Sequence, residues 1–197
     1  AYLILQYLSP APVHNWSDFG LQLAQLHQCT ALAFGFPEWN YIGSLRQDND
    51  YRKSAANFLI SQRLEPQFRL ASENGFQFTN TDKLYQTVKK LIPDEKPALI
   101  HGDLWNGNYL ATKKGFALID PAVSYSLREM DLAMMQLFGG FPSAVFEAYE
   151  HSYATQPGLD ERIPLYQLYY LLVHLNLFGK GYFQQCLRIV ERYRAFS

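Results

Sequence analysis

The stretch that most narrows what this chain can fold into is LIHGDLWNGN, residues 99–108, taken with the later LID at 118–120. Residues 98–100 are a short apolar run of the kind that forms a buried strand. Polarity then arrives within a few positions, at His101, Asp103, Asn106 and Asn108. Gly102 and Gly107 let the backbone turn sharply between them. Apolar residues resume at 109–111, Lys113-Lys114-Gly115 reads as a turn, and residues 116–119 form a second strand that ends at Asp120. The pattern predicts two short strands in a hairpin, with carboxylates at their mouths.

Oxygen chemistry needs this set of groups. Asp103 can accept a proton from an alcohol. Asn108 and Asp120 are hard oxygen ligands of the kind Mg²⁺ prefers, and Mg²⁺ completes its octahedron with phosphate and water. A base, an amide and a second carboxylate, ordered D-x4-N and then D, make the catalytic half of a kinase-type phosphoryl-transfer site. The alternative is a loop whose Asp and Asn side chains cap turns. A lone Asp or Asn would favour that alternative; the ordered set between two apolar strands favours phosphoryl transfer.

HGDLWNGN (101–108) followed by LIDPA (118–122) resembles the fructosamine kinase family, the ketosamine-3-kinases, within the protein-kinase-like superfamily. The HGD-x4-N frame and the later ID point only to the superfamily, which includes aminoglycoside phosphotransferases and choline kinases. Trp105 inside the frame and Pro121-Ala122 after the Asp narrow the resemblance to the ketosamine branch. It extends through FGFPEWNYIGS (34–44), REMDLAMMQLFGGF (128–141) and ERIPLYQLYYLLVHLNLFGKGY (161–182), nearly the whole chain.

The resemblance implies ATP as donor, Mg²⁺ held by Asn108 and Asp120, and Asp103 as the base. It implies adenine lying over Leu110 and Ile119, its edge bonded to the backbone of Gln6, Tyr7 and Leu8. His101 would hold the loop through backbone hydrogen bonds, and Asp131 would brace it from below. Trp105 would line the sugar pocket or stack on the substrate; packing under the loop is its alternative. The implied acceptor is a small-molecule or protein-bound ketosamine such as fructosamine or ribulosamine, phosphorylated at the 3-hydroxyl to an unstable product that releases the amine.

Composition bounds the rest. With 17 basic and 18 acidic residues the formal charge is −1, which leaves no electrostatic footprint for nucleic acid or an anionic membrane. At 48% hydrophobic the chain can bury a sizeable core. No apolar run approaches the roughly 20 residues of a membrane helix, and the first residues lack a basic flank, so no secretory signal is read there. Cys29 and Cys186 are expected as buried thiols in a reducing cytosol, and the localisation read from this is cytoplasmic.

Along the chain, residues 2–8 read as a strand ended by Pro10 and Pro12. Helices follow at 15–27, 50–64, 66–74 and from Thr79 or Thr81 to Pro93, with Tyr51, Ala55, Phe58 and Leu59 inward in the second. Residues 34–45 read as an aromatic loop that either contacts substrate or simply packs. Further helices are expected at 128–138, 142–153, 161–177 and 182–196; the one at 161–177, apolar almost all round, is expected to be the most buried, with His174 and Asn176 as core polar groups.

The fold class is therefore α+β and mostly helical, which the resemblance matches to the C-terminal lobe of a protein-kinase-like (aminoglycoside phosphotransferase-like) fold. In that reading residues 1–12 are the last N-lobe strand and hinge, and 13–197 the helical lobe. Neither a Gly-rich phosphate loop nor a strand Lys of the V-A-I-K type is found, so an N-lobe missing from this chain is expected to dock on an exposed apolar patch at the hinge side. Three functions stay open: a ketosamine kinase, another small-molecule kinase acting on an aminoglycoside or choline, and an isolated lobe without catalysis.

Overall fold

Helix α1 (Trp16–His27) starts where Asn15, in extended backbone, accepts a hydrogen bond from the Ser17 amide at 3.0 Å. The computed structural model describes residues 5–13 and 15–194, and among them it is α+β and about half helical. Residues 2–4 of the expected first strand, and 195–196 of the expected last helix, lie outside the described residues. Within 5–8 there is no strand: the segment is irregular, and Leu5 and Tyr7 are exposed. Pairing begins only beyond it, where Pro10 bridges to Thr112 and the Ala11 amide donates to the Ala111 carbonyl.

Residues 34–45, expected as a loop, build most of an antiparallel hairpin, β1 (Asn40–Ile42) with β2 (Leu45–Gln47). Residues 50–54 are not helical, and Tyr51 is exposed rather than inward. The helix begins at α2 (Ala55–Phe58), capped by Ser54. It runs without a break through a π-helical turn (Leu59–Leu64) into α3 (Glu65–Glu73). Pro66 was expected to open a separate helix. Its ring would crowd the carbonyl of Gln62, four residues back, and it has no amide to offer it. The widened turn makes room, and the buried Arg63 guanidinium bonds the Gln62 carbonyl at 2.9 Å. The chain continues through α4 (Thr81–Leu91).

Strand β3 (Ala98–Ile100) pairs with β6 (Ser124–Ser126), which the sequence did not announce. Between them lies the hairpin of β4 (Tyr109–Thr112) and β5 (Gly115–Leu118), as expected. Helices α5 (Glu129–Phe138), α6 (Ser143–Ser152), α7 (Leu159–Phe178) and α8 (Phe183–Arg194) complete the chain. Eleven residues of α7 are buried, the most of any helix, so the expectation from its apolar surface holds. Cys186 is buried and free; Cys29 is free but exposed, because it falls just past the end of α1.

Two cores result. The larger surrounds α7 and takes in the helices from 55 onward, α6 excepted, together with β3. The smaller joins α1, α5 and α6 through Phe19, Leu23, Leu132, Met135, Val145 and Tyr149. Tyr109 and Phe116, on one face of the β4–β5 hairpin, pack edge-on to Phe19 at ring separations of 5.4 and 4.9 Å. The hairpin is thereby fixed to α1.

Candidate active site

Buried strand β3 delivers the chain to His101, and the loop that follows is fastened at almost every residue. The Asp131 carboxylate, fully buried at the start of α5, accepts the His101 and Gly102 amides, both at 2.8 Å. It also meets His27 Nε2 at 3.2 Å, and His27 Nδ1 in turn meets the Tyr149 hydroxyl at 2.8 Å. Burial alone would raise Asp131, but His27, His101 and the Gly102 amide outweigh it and hold its carboxyl below the ordinary carboxylate range. Gly102 has φ +83°, and a Cβ there would lie 2.2 Å from the Ala122 carbonyl oxygen, so only glycine fits.

His101 joins the loop to the end of β5. Its Nδ1 accepts the Asp103 amide at 3.3 Å, so Nε2 carries the proton and donates to the Ile119 carbonyl at 2.8 Å. The Ile119 amide donates back to the Asn108 carbonyl at 3.0 Å. Asp120, the next residue, is exposed and left-handed at φ +51°. The buried Asn108 spends its Nδ2 on Asp103, donating to the backbone carbonyl at 2.8 Å and to Oδ2 at 3.3 Å.

Leu104 is fully buried in the smaller core. Its neighbours Asp103 and Trp105 are turned the other way, into a cavity of about 260 Å³. Ile42 and Gly43 of the β1–β2 hairpin form one wall; Phe138, His174 and Leu177 from α5 and α7 form another. Burial pushes the Asp103 carboxyl above the ordinary range, opposed by His101, His174 and the Asn108 hydrogen bond. Trp105 packs against the loop and also borders the cavity. Its ring covers Gly107, where a Cβ would lie 2.3 Å from the ring, and it stays 40% exposed beside the cavity.

His174 was read as a core polar group; it has a partner, but it sits at the cavity wall. Its Nδ1 donates to the Tyr170 carbonyl at 2.8 Å. Phe138 and Phe178 flank it at ring separations of 4.8 and 5.4 Å. A lone histidine in the apolar stretch 168–175 of α7 was the available signal. Leu110 and Ala117 share the face of the β4–β5 hairpin away from α1, and alternation puts Ile119 beside them. Gln6, Tyr7 and Leu8 precede the point where the entering segment joins the edge of β4.

Among the described residues no three His, Cys, Asp or Glu side chains cluster as a metal cage. The donor set at hand is instead one carboxylate and one amide oxygen. With Nδ2 of Asn108 turned to Asp103, its Oδ1 is left over, and no hydrogen bond or ion pair engages the Asp120 carboxylate among the described residues. A free amide oxygen on the buried Asn108 and a free carboxylate on the exposed Asp120 are hard donors that suit an ion that keeps waters and takes phosphate oxygens.

The model of the family described as "Fructosamine kinase" matches residues 1–195. The chain belongs to the fructosamine kinase family. It is thus a member of a family of kinases. Two relatives named "probable ketoamine kinase", from Enterococcus faecium and Vibrio parahaemolyticus, are 40% and 41% identical. Each alignment covers 98% of this chain, and 72% and 69% of the relative. A solved structure described as a "putative fructosamine-3-kinase" of Thermobifida fusca superposes with TM-score 0.86 at 36% identity, over 98% of this chain and 69% of that one. Another, from Haemophilus somnus, reaches 0.87 at 28% identity, over 95% and 66%. The α+β architecture is therefore that of fructosamine kinase structures.

Proposed function

We propose that this protein transfers the γ-phosphoryl group of ATP to the 3-hydroxyl of a ketosamine, fructosamine or ribulosamine. The observation that carries the reading is the placement of Asp103, hydrogen-bonded to Asn108 on one side and opening into the cavity on the other.

The acceptor sugar lies in the cavity beside Trp105 and His174, its hydroxyl directed at Asp103. Asp103 takes the hydroxyl proton as the oxygen bonds to the γ-phosphorus. The bond from that phosphorus to the β,γ-bridging oxygen breaks, and ADP leaves. Mg²⁺, when bound, neutralises phosphate charge; Asn108 Oδ1 and the Asp120 carboxylate would hold it. Base assistance of this kind contributes on the order of 10²–10⁴ in rate, and positioning adds more. Leu110 and Ile119 offer an apolar floor for adenine, with the backbone of Gln6, Tyr7 and Leu8 at its edge, residues 1–12 as hinge and 13–197 as the helical lobe. His101 and Asp131 hold the loop rigid. The product then loses a proton from C1 and inorganic phosphate from C3, and water hydrolyses the resulting imine and frees the amine, which amounts to deglycation.

The test presents the protein as its gene encodes it with ATP, Mg²⁺ and three acceptors: a fructosyl-amine, choline and an aminoglycoside. Phosphorylation of the fructosyl-amine, followed by amine release, supports the reading. Phosphorylation of choline or the aminoglycoside alone replaces it with another small-molecule kinase.

A further inference from the structure

Asp120 is held in a conformation that its place before a proline does not favour. Asp tolerates a left-handed φ better than most residues with a Cβ, but a residue before proline prefers extended backbone, and Asp120 at φ +51° precedes Pro121. Such a residue persists only when its surroundings over-determine it. Upstream, Ile119 is fixed by His101 and Asn108. Downstream, the hold comes from a separate element, the β1–β2 hairpin.

Asn40 and Gln47 are cross-strand partners in that hairpin. Gln47 Nε2 donates to the Ala122 carbonyl at 3.1 Å, and Asn40 Nδ2 donates to the Val123 carbonyl at 2.8 Å. The two amides are bonded to each other at 2.9 Å. Gln47 is 3% exposed, and its Oε1 accepts the Tyr169 hydroxyl of α7 at 2.7 Å. Asn40 Oδ1 also accepts from Asn49, whose own Oδ1 accepts from the buried Arg63. A connected polar network thus ends on two consecutive carbonyls just past Asp120.

We propose that Asn40 and Gln47 are positioning residues for Asp120: they hold its carboxylate where it meets the nucleotide-bound cation. The inference rests on the reading of Asp120 as a cation ligand. Partners behind a metal ligand typically change affinity by about 10–100-fold when removed.

The experiment measures Mn²⁺ binding by electron paramagnetic resonance, in the presence of a non-hydrolysable ATP analogue, beside steady-state kinetics in Mg²⁺. The variants are Asn40→Ala, Gln47→Glu, Asp120→Asn and Val190→Ala. Asn40→Ala leaves Gln47 and Asn49 a second acceptor each, at Ala122 and Glu38, so it folds even where Gln47→Glu does not. Val190→Ala trims the larger core in α8, away from the site. The expected result is about tenfold weaker Mn²⁺ binding in Asn40→Ala, and in Gln47→Glu if folded, in the direction of Asp120→Asn. Half-saturating Mg²⁺ rises, while kcat at saturating Mg²⁺ and the acceptor KM stay near wild type. Unchanged Mn²⁺ binding in Asn40→Ala, with Asp120→Asn weakened, overturns this inference alone. Equal weakening in Val190→Ala overturns it too. Unchanged binding in Asp120→Asn removes the cation role of Asp120 and this inference with it.

Discussion

Asp103 and Asp131 are carboxylates on one short stretch of fold, moved in opposite directions by their surroundings. Burial disfavours the charged form of Asp103, so that charge works against stability at neutral pH. Asp103→Asn is therefore expected to keep or raise Tm at pH 7 while turnover falls by on the order of 10²–10⁴, measured by calorimetry beside the kinase assay. Asp131 behaves the other way. Its folded carboxyl lies below the ordinary range, so its contribution is complete above about pH 4, where the unfolded chain ionises, and drains away as pH falls through the folded value. Asp131→Asn leaves a loop amide facing a donor and is expected to cost about 3–5 kcal/mol. Denaturation measured from pH 7 to pH 3 should show that gap between wild type and variant narrowing on the acid side. Spacing in the sequence picked out Asp103, Asn108 and Asp120, and the structure brings 103 and 108 into hydrogen-bond contact. The left-handed backbone at Asp120 was not legible, because nothing local to it requires that conformation.

Among the elements, those with a long apolar stripe were legible, and of the three-residue strands only the wholly apolar β3 was. A strand as short as β1, β2 or β6 holds too few residues to show alternation. The uninterrupted run from 55 to 73 was hidden for a different reason. Pro66 reads as a helix start, and only the tertiary placement of Arg63 reveals how the freed Gln62 carbonyl is answered. Arg63 also bonds the Asp48 carbonyl, Asn49 Oδ1 and Ser124 Oγ, at 2.7, 2.7 and 3.1 Å. Lysine cannot reproduce that fork. Arg63→Lys is expected to destabilise by about 2–4 kcal/mol, read from the shift in urea midpoint.

In the whole molecule the site falls where the two cores meet. Leu104 anchors the loop in the smaller core, while the cavity facing Asp103 is walled by α7 and the β1–β2 hairpin from the larger. No window of sequence contains that arrangement, which is why His174 read as interior and Gly43 drew no notice. Gly43 has φ +56°, and a Cβ there would lie 2.9 Å from Leu177 Cδ1 across the cavity wall. Gly43→Ala is expected to raise the acceptor KM by about tenfold or more and leave the ATP KM alone, because the cavity it narrows is the one proposed for the acceptor.

The most direct measurement follows phosphate transfer from ATP to a fructosyl-amine by ³¹P NMR, with wild type and Asp103→Asn compared under saturating Mg²⁺. The expected result is a single new phosphate ester at the sugar 3-position with wild type, and turnover reduced by on the order of a hundredfold or more with the folded variant. Near-normal turnover by Asp103→Asn, or no ester from the wild-type enzyme, would contradict the assignment of this loop as the place of phosphoryl transfer.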